Sequence, residues 1–219
     1  MRMFMLSVLT GLLVLSGQVT CLAHQPNLVG NNLILIDDPE ISRAYYGELK
    51  GRPAAFFVRS PKIFKLYAGL LVPQSSNPNG RFSATIYAGN ILLTRLDQAK
   101  AKWQVFHEPF ANDDYLKGPE YSKTVPAGEY VIEVFNRENK GKYVLAIGDK
   151  EYFGFKETAA ALFILPQLKR GFFKVSPFSL LGSYFALFYL LAILLALLAI
   201  YPGWRLLKRR FSRSQPRTF

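Results

Sequence analysis

The chain has 219 residues, half of them hydrophobic, and a net charge of +12 from 27 Lys and Arg against 15 Asp and Glu. An apolar content of 50% with 19% charged residues excludes global disorder. The position of the charge argues against nucleic acid as a partner: six cations and no acid fall in residues 205–219, directly after a charge-free stretch from Val175 to Trp204, which is the layout of a membrane anchor with a basic tail rather than of a basic binding face.

The first 23 residues read as a signal peptide. Met3 to Leu15 is apolar, Arg2 precedes it and SGQVTCLAH follows; a short apolar core with small residues before a cut is the export pattern. Cleavage after Ala23 places Cys21 and Ala23 at the expected small positions. A retained signal anchor is the alternative. Cys21 is the single cysteine, so the exported domain, residues 24–154, is expected to hold no thiol and no disulfide. It also lacks an Asn-X-Ser/Thr acceptor. Both features suit a prokaryotic envelope.

The exported region is read as strands. Asn32–Ile36, Arg43–Leu49, Ala54–Arg59, Ile63–Pro73, Arg81–Leu96, Glu129–Asn136 and Gly141–Gly148 are rich in branched and aromatic residues. They are separated by Gly/Pro/Asn/Asp clusters such as Asp37-Asp38-Pro39, Gly51-Arg52-Pro53 and Ser75–Gly80. Helical periodicity is absent before residue 155. The predicted fold is mainly β: an antiparallel β-sandwich of jelly-roll type, followed by a juxtamembrane helix and one transmembrane α-helix. In the adjacent pairs Tyr45-Tyr46 and Phe56-Phe57, neighbours on a strand face opposite ways. One of each pair belongs to the core and the other is exposed or covered, and an exposed aromatic row marks a partner surface.

The stretch Val125 to Gly148, VPAGEYVIEVFNRENKGKYVLAIG, carries a small-Gly pair at Ala127-Gly128, an alternation through Tyr130, Ile132 and Val134, and Gly141-Lys142-Tyr143 at the last strand. It resembles the closing hairpin of the bacterial pre-peptidase C-terminal type of β-sandwich. The whole layout resembles prokaryotic single-pass envelope proteins. The resemblance covers about 24 residues and implies a β-sandwich serving as an accessory, non-catalytic ectodomain.

Between two predicted strands lies Trp103–Tyr121, WQVFHEPFANDDYLKGPEY, with one Trp, two Phe, two Tyr, one His and four acids. It is read as a long loop, and such loops often bind. Three uses compete. The aromatics cover one edge of the sandwich; or Trp103, Phe106, His107, Asp113, Asp114 and Tyr115 form a glycan or peptide site; or the acids hold calcium, although their spacing does not fit an EF-hand.

Residues 155–175 follow. Glu157–Leu168 suggests a helix that Pro166 kinks or ends. Phe172 and Phe173 beside Lys169, Arg170 and Lys174 suggest a segment on the membrane surface; the alternative is a helix packed on the sandwich. The 23 residues from Phe178 to Ile200 contain no charge and are long enough to cross a bilayer, so a transmembrane helix is expected over 176–202. The tail, 203–219, with Arg205, Lys208, Arg209 and Arg210 near its start, is expected in the cytoplasm and against anionic headgroups. The result is a type I single-pass protein of the prokaryotic cytoplasmic membrane.

No zinc spacing, G-x-S-x-G, HExxH, P-loop or G-x-G-x-x-G occurs in the chain. A catalytic role, a metal and a cofactor are therefore not expected. The expected function is a non-enzymatic, membrane-anchored envelope protein whose sandwich binds or scaffolds another envelope protein or a glycan. The alternative is an accessory subunit that pairs through its transmembrane helix, using the small residues Ser179, Gly182, Ser183 and Ala186.

Overall fold

The computed structural model describes residues 24–201, except 31, 32, 153, 188, 192, 195, 196, 198 and 199. The expected signal peptide and the tail cations Arg205, Lys208, Arg209 and Arg210 lie outside the described residues.

Eleven strands are described: β1 Gln25–Leu28, β2 Leu33–Ile36, β3 Arg43–Lys50, β4 Ala54–Ser60, β5 Phe64–Pro73, β6 Ser83–Ala88, β7 Ile91–Leu96, β8 Gln104–Glu108, β9 Asp113–Val125, β10 Gly128–Phe135 and β11 Lys140–Ile147. They form a six-stranded sheet, β1-β3-β11-β5-β9-β8, and a five-stranded sheet, β2-β4-β10-β6-β7. The sandwich is mixed rather than antiparallel, because β1 pairs with β3 and β2 with β4 in parallel. The chain alternates between sheets from β1 to β4, so these paired strands are not joined by hairpins. The predicted strand Arg81–Leu96 is a hairpin, β6 and β7, turned at Gly89, whose φ of +56° suits glycine.

The inner faces build the main core. On β10, Tyr130, Ile132 and Val134 are all buried, while their neighbours are half-buried or exposed; this is the shared face expected from the alternation. Phe56 on β4 packs edge-on against Tyr45 at 5.5 Å and Tyr143 at 6.4 Å. Phe57, its neighbour, turns outward and is half-buried. It sits in a cross-strand row with Leu35, Val131, Tyr87 and Leu92 on the outer face of the five-stranded sheet.

The outer face of the six-stranded sheet is covered. Helix α1, Phe155–Gln167, continues into a π-helical turn, Leu168–Phe173, and a 3-10 helix follows at Pro177–Gly182. Ala161, Leu165, Leu168, Phe172 and Phe173 pack with Ala44, Tyr46 and Val144 in a second buried cluster. Tyr45 therefore faces the main core and Tyr46 the covering layer, and β11 is buried on both faces from Tyr143 to Ile147. Of the two uses expected for residues 155–175, packing on the sandwich accounts for one face of the segment.

Pro166 neither ends α1 nor leaves a carbonyl stranded. Proline lacks the N–H that would reach the carbonyl of Leu162, and the Tyr189 hydroxyl donates to that carbonyl at 2.8 Å. The expected single helix over 176–202 begins differently: Pro177–Gly182 is 3-10, Ser183 is a bend, and the described residues of 186–201 are helical. No helix among the described residues is long and apolar enough to cross a membrane.

Ile132 is fully buried between the sheets. Ile132→Ala should destabilise the fold by about 2–5 kcal/mol, read as a lower denaturant midpoint with an unchanged slope.

Candidate functional site

The segment Trp103–Tyr121 is not a loop. It is a hairpin of β8 and β9 at the edge of the six-stranded sheet, in register from Gln104 opposite Lys117 to Glu108 opposite Asp113. The period of two divides the expected site residues between the faces. Phe106, Glu108, Asp113 and Tyr115 share one face. His107 and Asp114 pair on the other, Nδ1 to Oδ1 at 2.8 Å, with more than half of each side chain exposed. Trp103 precedes β8 and is engaged elsewhere. Its Nε1 donates to the Gln98 carbonyl at 3.1 Å, its ring lies over Gly118, and the Arg81 guanidinium sits 5.1 Å from the ring. The six residues do not converge on one site.

Four of the hairpin's side chains build a clamp with the C-terminal segment. The turn at 109–112 is held first by Glu108, whose carboxylate accepts the backbone N–H of Phe110 at 2.7 Å and of Ala111 at 2.8 Å. Asn112 then takes the left-handed conformation, φ +59°, a region that asparagine tolerates well. Its side-chain amide donates to the Ser179 carbonyl at 3.1 Å. The carbonyls of Pro109 and Phe110 accept the N–H groups of Tyr184 and Phe185 at 3.2 and 3.1 Å. Those two N–H groups, left free where the 3-10 helix ends, are thus satisfied by the turn. The Phe110 and Phe185 rings meet edge-on at 5.0 Å.

Lys169 closes the clamp. Its ammonium donates to Asp113 Oδ1 at 2.6 Å and to the Asn112 carbonyl at 2.9 Å. Lys169 is 1% exposed and Asp113 is 6% exposed. Lys169 was expected at the membrane surface beside Arg170 and Lys174; the latter two are exposed, but Lys169 points inward because the π-helical turn places it over the start of β9. Asp113 was expected to bind a ligand, and its charge is already engaged by this cation. Tyr115 is buried too, its hydroxyl 3.2 Å from that of Tyr46 and its ring 5.7 Å from Phe173.

Burial governs the electrostatics here. It raises the carboxyl pKa of Glu108 against the opposing pull of two N–H donors. It raises that of Asp113 too, against the attraction of Lys169. His24 lies nearby, its Nδ1 bonded to the Ser42 hydroxyl, and burial followed by the charge of Lys117 lowers its pKa to about 4. A cavity of about 30 Å³ lies between His24, Tyr46, Phe106, Glu108, Tyr115 and Leu165, room for about one water molecule. Among the described residues no three of His, Cys, Asp and Glu gather as metal ligands do. Glu108 and Asn112 are the site residues not singled out in the sequence, and Lys169 was assigned to the membrane surface instead of the clamp.

No protein-family pattern matches the chain, and no curated protein matches it in sequence. Among solved structures, the chain is similar to the pre-peptidase C-terminal domain of a collagenase from Bacillus anthracis, with 10% identity, a TM-score of 0.32, and coverage of 57% of this chain and 95% of that one. A β-glucosidase from Paenibacillus barengoltzii is similar at 10% identity and a TM-score of 0.25, over 57% of this chain and 13% of that one.

Lys169→Met leaves Asp113 buried without its partner and should cost about 3–5 kcal/mol. The double variant Lys169→Met/Asp113→Leu should recover most of that loss in the same denaturation assay. The raised pKa of Glu108 gives a second prediction. A carboxyl whose folded pKa lies above its unfolded one favours folding below the ordinary glutamate range, and that advantage is lost as pH rises through the folded value. The stability difference between the wild type and Glu108→Gln should therefore move against the wild type as pH rises through this window. A flat difference would contradict the assignment.

Proposed function

We propose that the chain is a non-enzymatic, membrane-anchored envelope protein whose β-sandwich binds or scaffolds another envelope component at a fixed attitude to its anchor. The observation that carries this reading is the clamp. Five hydrogen bonds join residues 109–113 of the hairpin to residues 169–185, where the uncharged run begins. A sandwich joined to its anchor by a free linker has no use for such contacts. Beyond the clamp, Phe178, Leu181, Tyr184, Leu187 and Leu190 are each more than half exposed, an apolar face suited to lipid. The uncharged run then meets a basic tail, which supports a type I orientation.

The expected closing hairpin is not one, since β10 and β11 lie in different sheets; the buried alternation of Tyr130, Ile132 and Val134 on β10 is what supports an ectodomain of the pre-peptidase C-terminal, jelly-roll-like kind. The binding half of the proposal draws on the apolar row Leu35, Phe57, Val131, Tyr87 and Leu92, since the described helices cover only the other sheet. Pairing through the anchor is less favoured: Ser183 is buried, its hydroxyl bonded to the Leu180 carbonyl at 2.6 Å, which removes it from the stripe of small residues.

The full-length chain should stay with membranes in alkaline carbonate, and protease added outside intact cells should leave an epitope on the tail protected. Release by carbonate would overturn the anchor. Loss of the tail epitope with survival of the sandwich would overturn the orientation.

A further inference from the structure

Lys174 is exposed just past the π-helical turn, next to exposed Gly171 within it, and along α1 and the turn exposed residues recur at Lys156, Ala160, Phe163, Gln167 and Arg170. This is the three-and-four spacing of one helix face. The opposite face is the one buried on the sheet. The exposed line carries three cations, one aromatic ring and no acid; Glu157, the single acid of α1, is half-buried off the line. Phe163 is 72% exposed, an unfavourable place for a phenyl ring in water.

A fourth cation joins from the sheet. Lys142 on β11 donates to the carbonyls of Gly171 and Phe172, and its ammonium lies 5.4 Å from the Phe172 ring. Its pKa is lowered by burial and then by the positive charge of Lys174, with Glu48 pulling weakly the other way. Two like charges therefore approach each other where the chain leaves the π-helical turn. Lys174 itself stands in the left-handed region, φ 60° and ψ 33°. Glycine or asparagine is the unstrained choice there. The charge-free run begins at the next residue.

We infer that this line, centred on Phe163, Arg170 and Lys174 with Lys142 beside it, docks on anionic phospholipid headgroups and lays the helical cover of the sandwich against the bilayer. The guanidinium and ammonium groups match phosphate oxygens, and the phenyl ring enters the headgroup–acyl boundary. Lipid is favoured over a soluble phosphate because an exposed Phe contributes nothing to a soluble anion. The inference rests on the membrane-anchor reading.

The test uses full-length protein in nonionic micelles doped with equal phosphatidylglycerol and phosphatidylcholine, with bound lipid read by native mass spectrometry. Wild type should retain phosphatidylglycerol preferentially. Each cation near an anionic surface is worth roughly a fivefold change in binding, so Lys174→Gly should lose about fivefold of the preference and Arg170→Gln/Lys174→Gly more. Lys174→Gly relieves the backbone, so its thermal midpoint should not fall, which separates lipid loss from misfolding. A wild type without the preference, or a double variant that keeps it in full through the basic tail, would overturn the inference. Chains that carbonate strips from membranes would instead overturn the anchor itself.

Discussion

The structure turns on one buried ion pair. Lys169 and Asp113 are 56 residues apart in the chain and are both withdrawn from water. Removing two charges from water is costly, and such a pair returns that cost only when its geometry is good and its other valences are met. Here Lys169 also donates to the Asn112 carbonyl. A pair of this kind adds little net stability, but it tolerates few alternatives. If the covering segment slid by one residue, Lys169 would leave Asp113 and two charges would be without their partners. The pair thus sets the register between the helical cover and the sheet edge, and the segment from Pro177 to Phe185 is then held by the hairpin turn.

The remaining joints follow from backbone accounting. A buried N–H or carbonyl needs a partner, and the clamp is built where local structure leaves one free. Pro166 frees the Leu162 carbonyl and Tyr189 takes it. The break at Ser183 frees the N–H groups of Tyr184 and Phe185, and the hairpin turn accepts both. Glu108 holds the turn through the turn's own N–H groups, without the C-terminal segment. Between these polar points lie aromatic contacts, Tyr46 with Phe172 at 5.2 Å and Tyr115 with Phe173 at 5.7 Å. They make the second cluster a core in its own right.

β10 was legible because one of its faces is buried and the other is not. Val131 and Glu133 alternate with Ile132 and Val134, and turn residues bracket the run. The hairpin of β8 and β9 was not legible. Its pattern, DDYLKGPEYSKTV on β9, sets charges and aromatics on both faces, because one face meets the helical cover through an ion pair and the edge is open to water. β1 was missed because QPNL is short, polar and half-buried. Lys169 read as a surface cation because nothing local to LKRGFF says which side of the turn will meet an aspartate.

The sequence by itself determined the alternation that makes two sheets, the turns that punctuate them, the aromatic covering segment and the charge-free run before a basic tail. These are properties of short windows, where the period of side-chain burial is written directly in residue type. Only the tertiary structure decided that β1 and β2 run parallel to their neighbours, that Trp103, His107 and Asp113 serve three separate purposes, and that Lys169 lies inside. Those outcomes depend on which distant partner reaches each group. Burial can turn the same lysine from a solvated charge into a fixed joint, and its own sequence neighbourhood carries no record of which will happen.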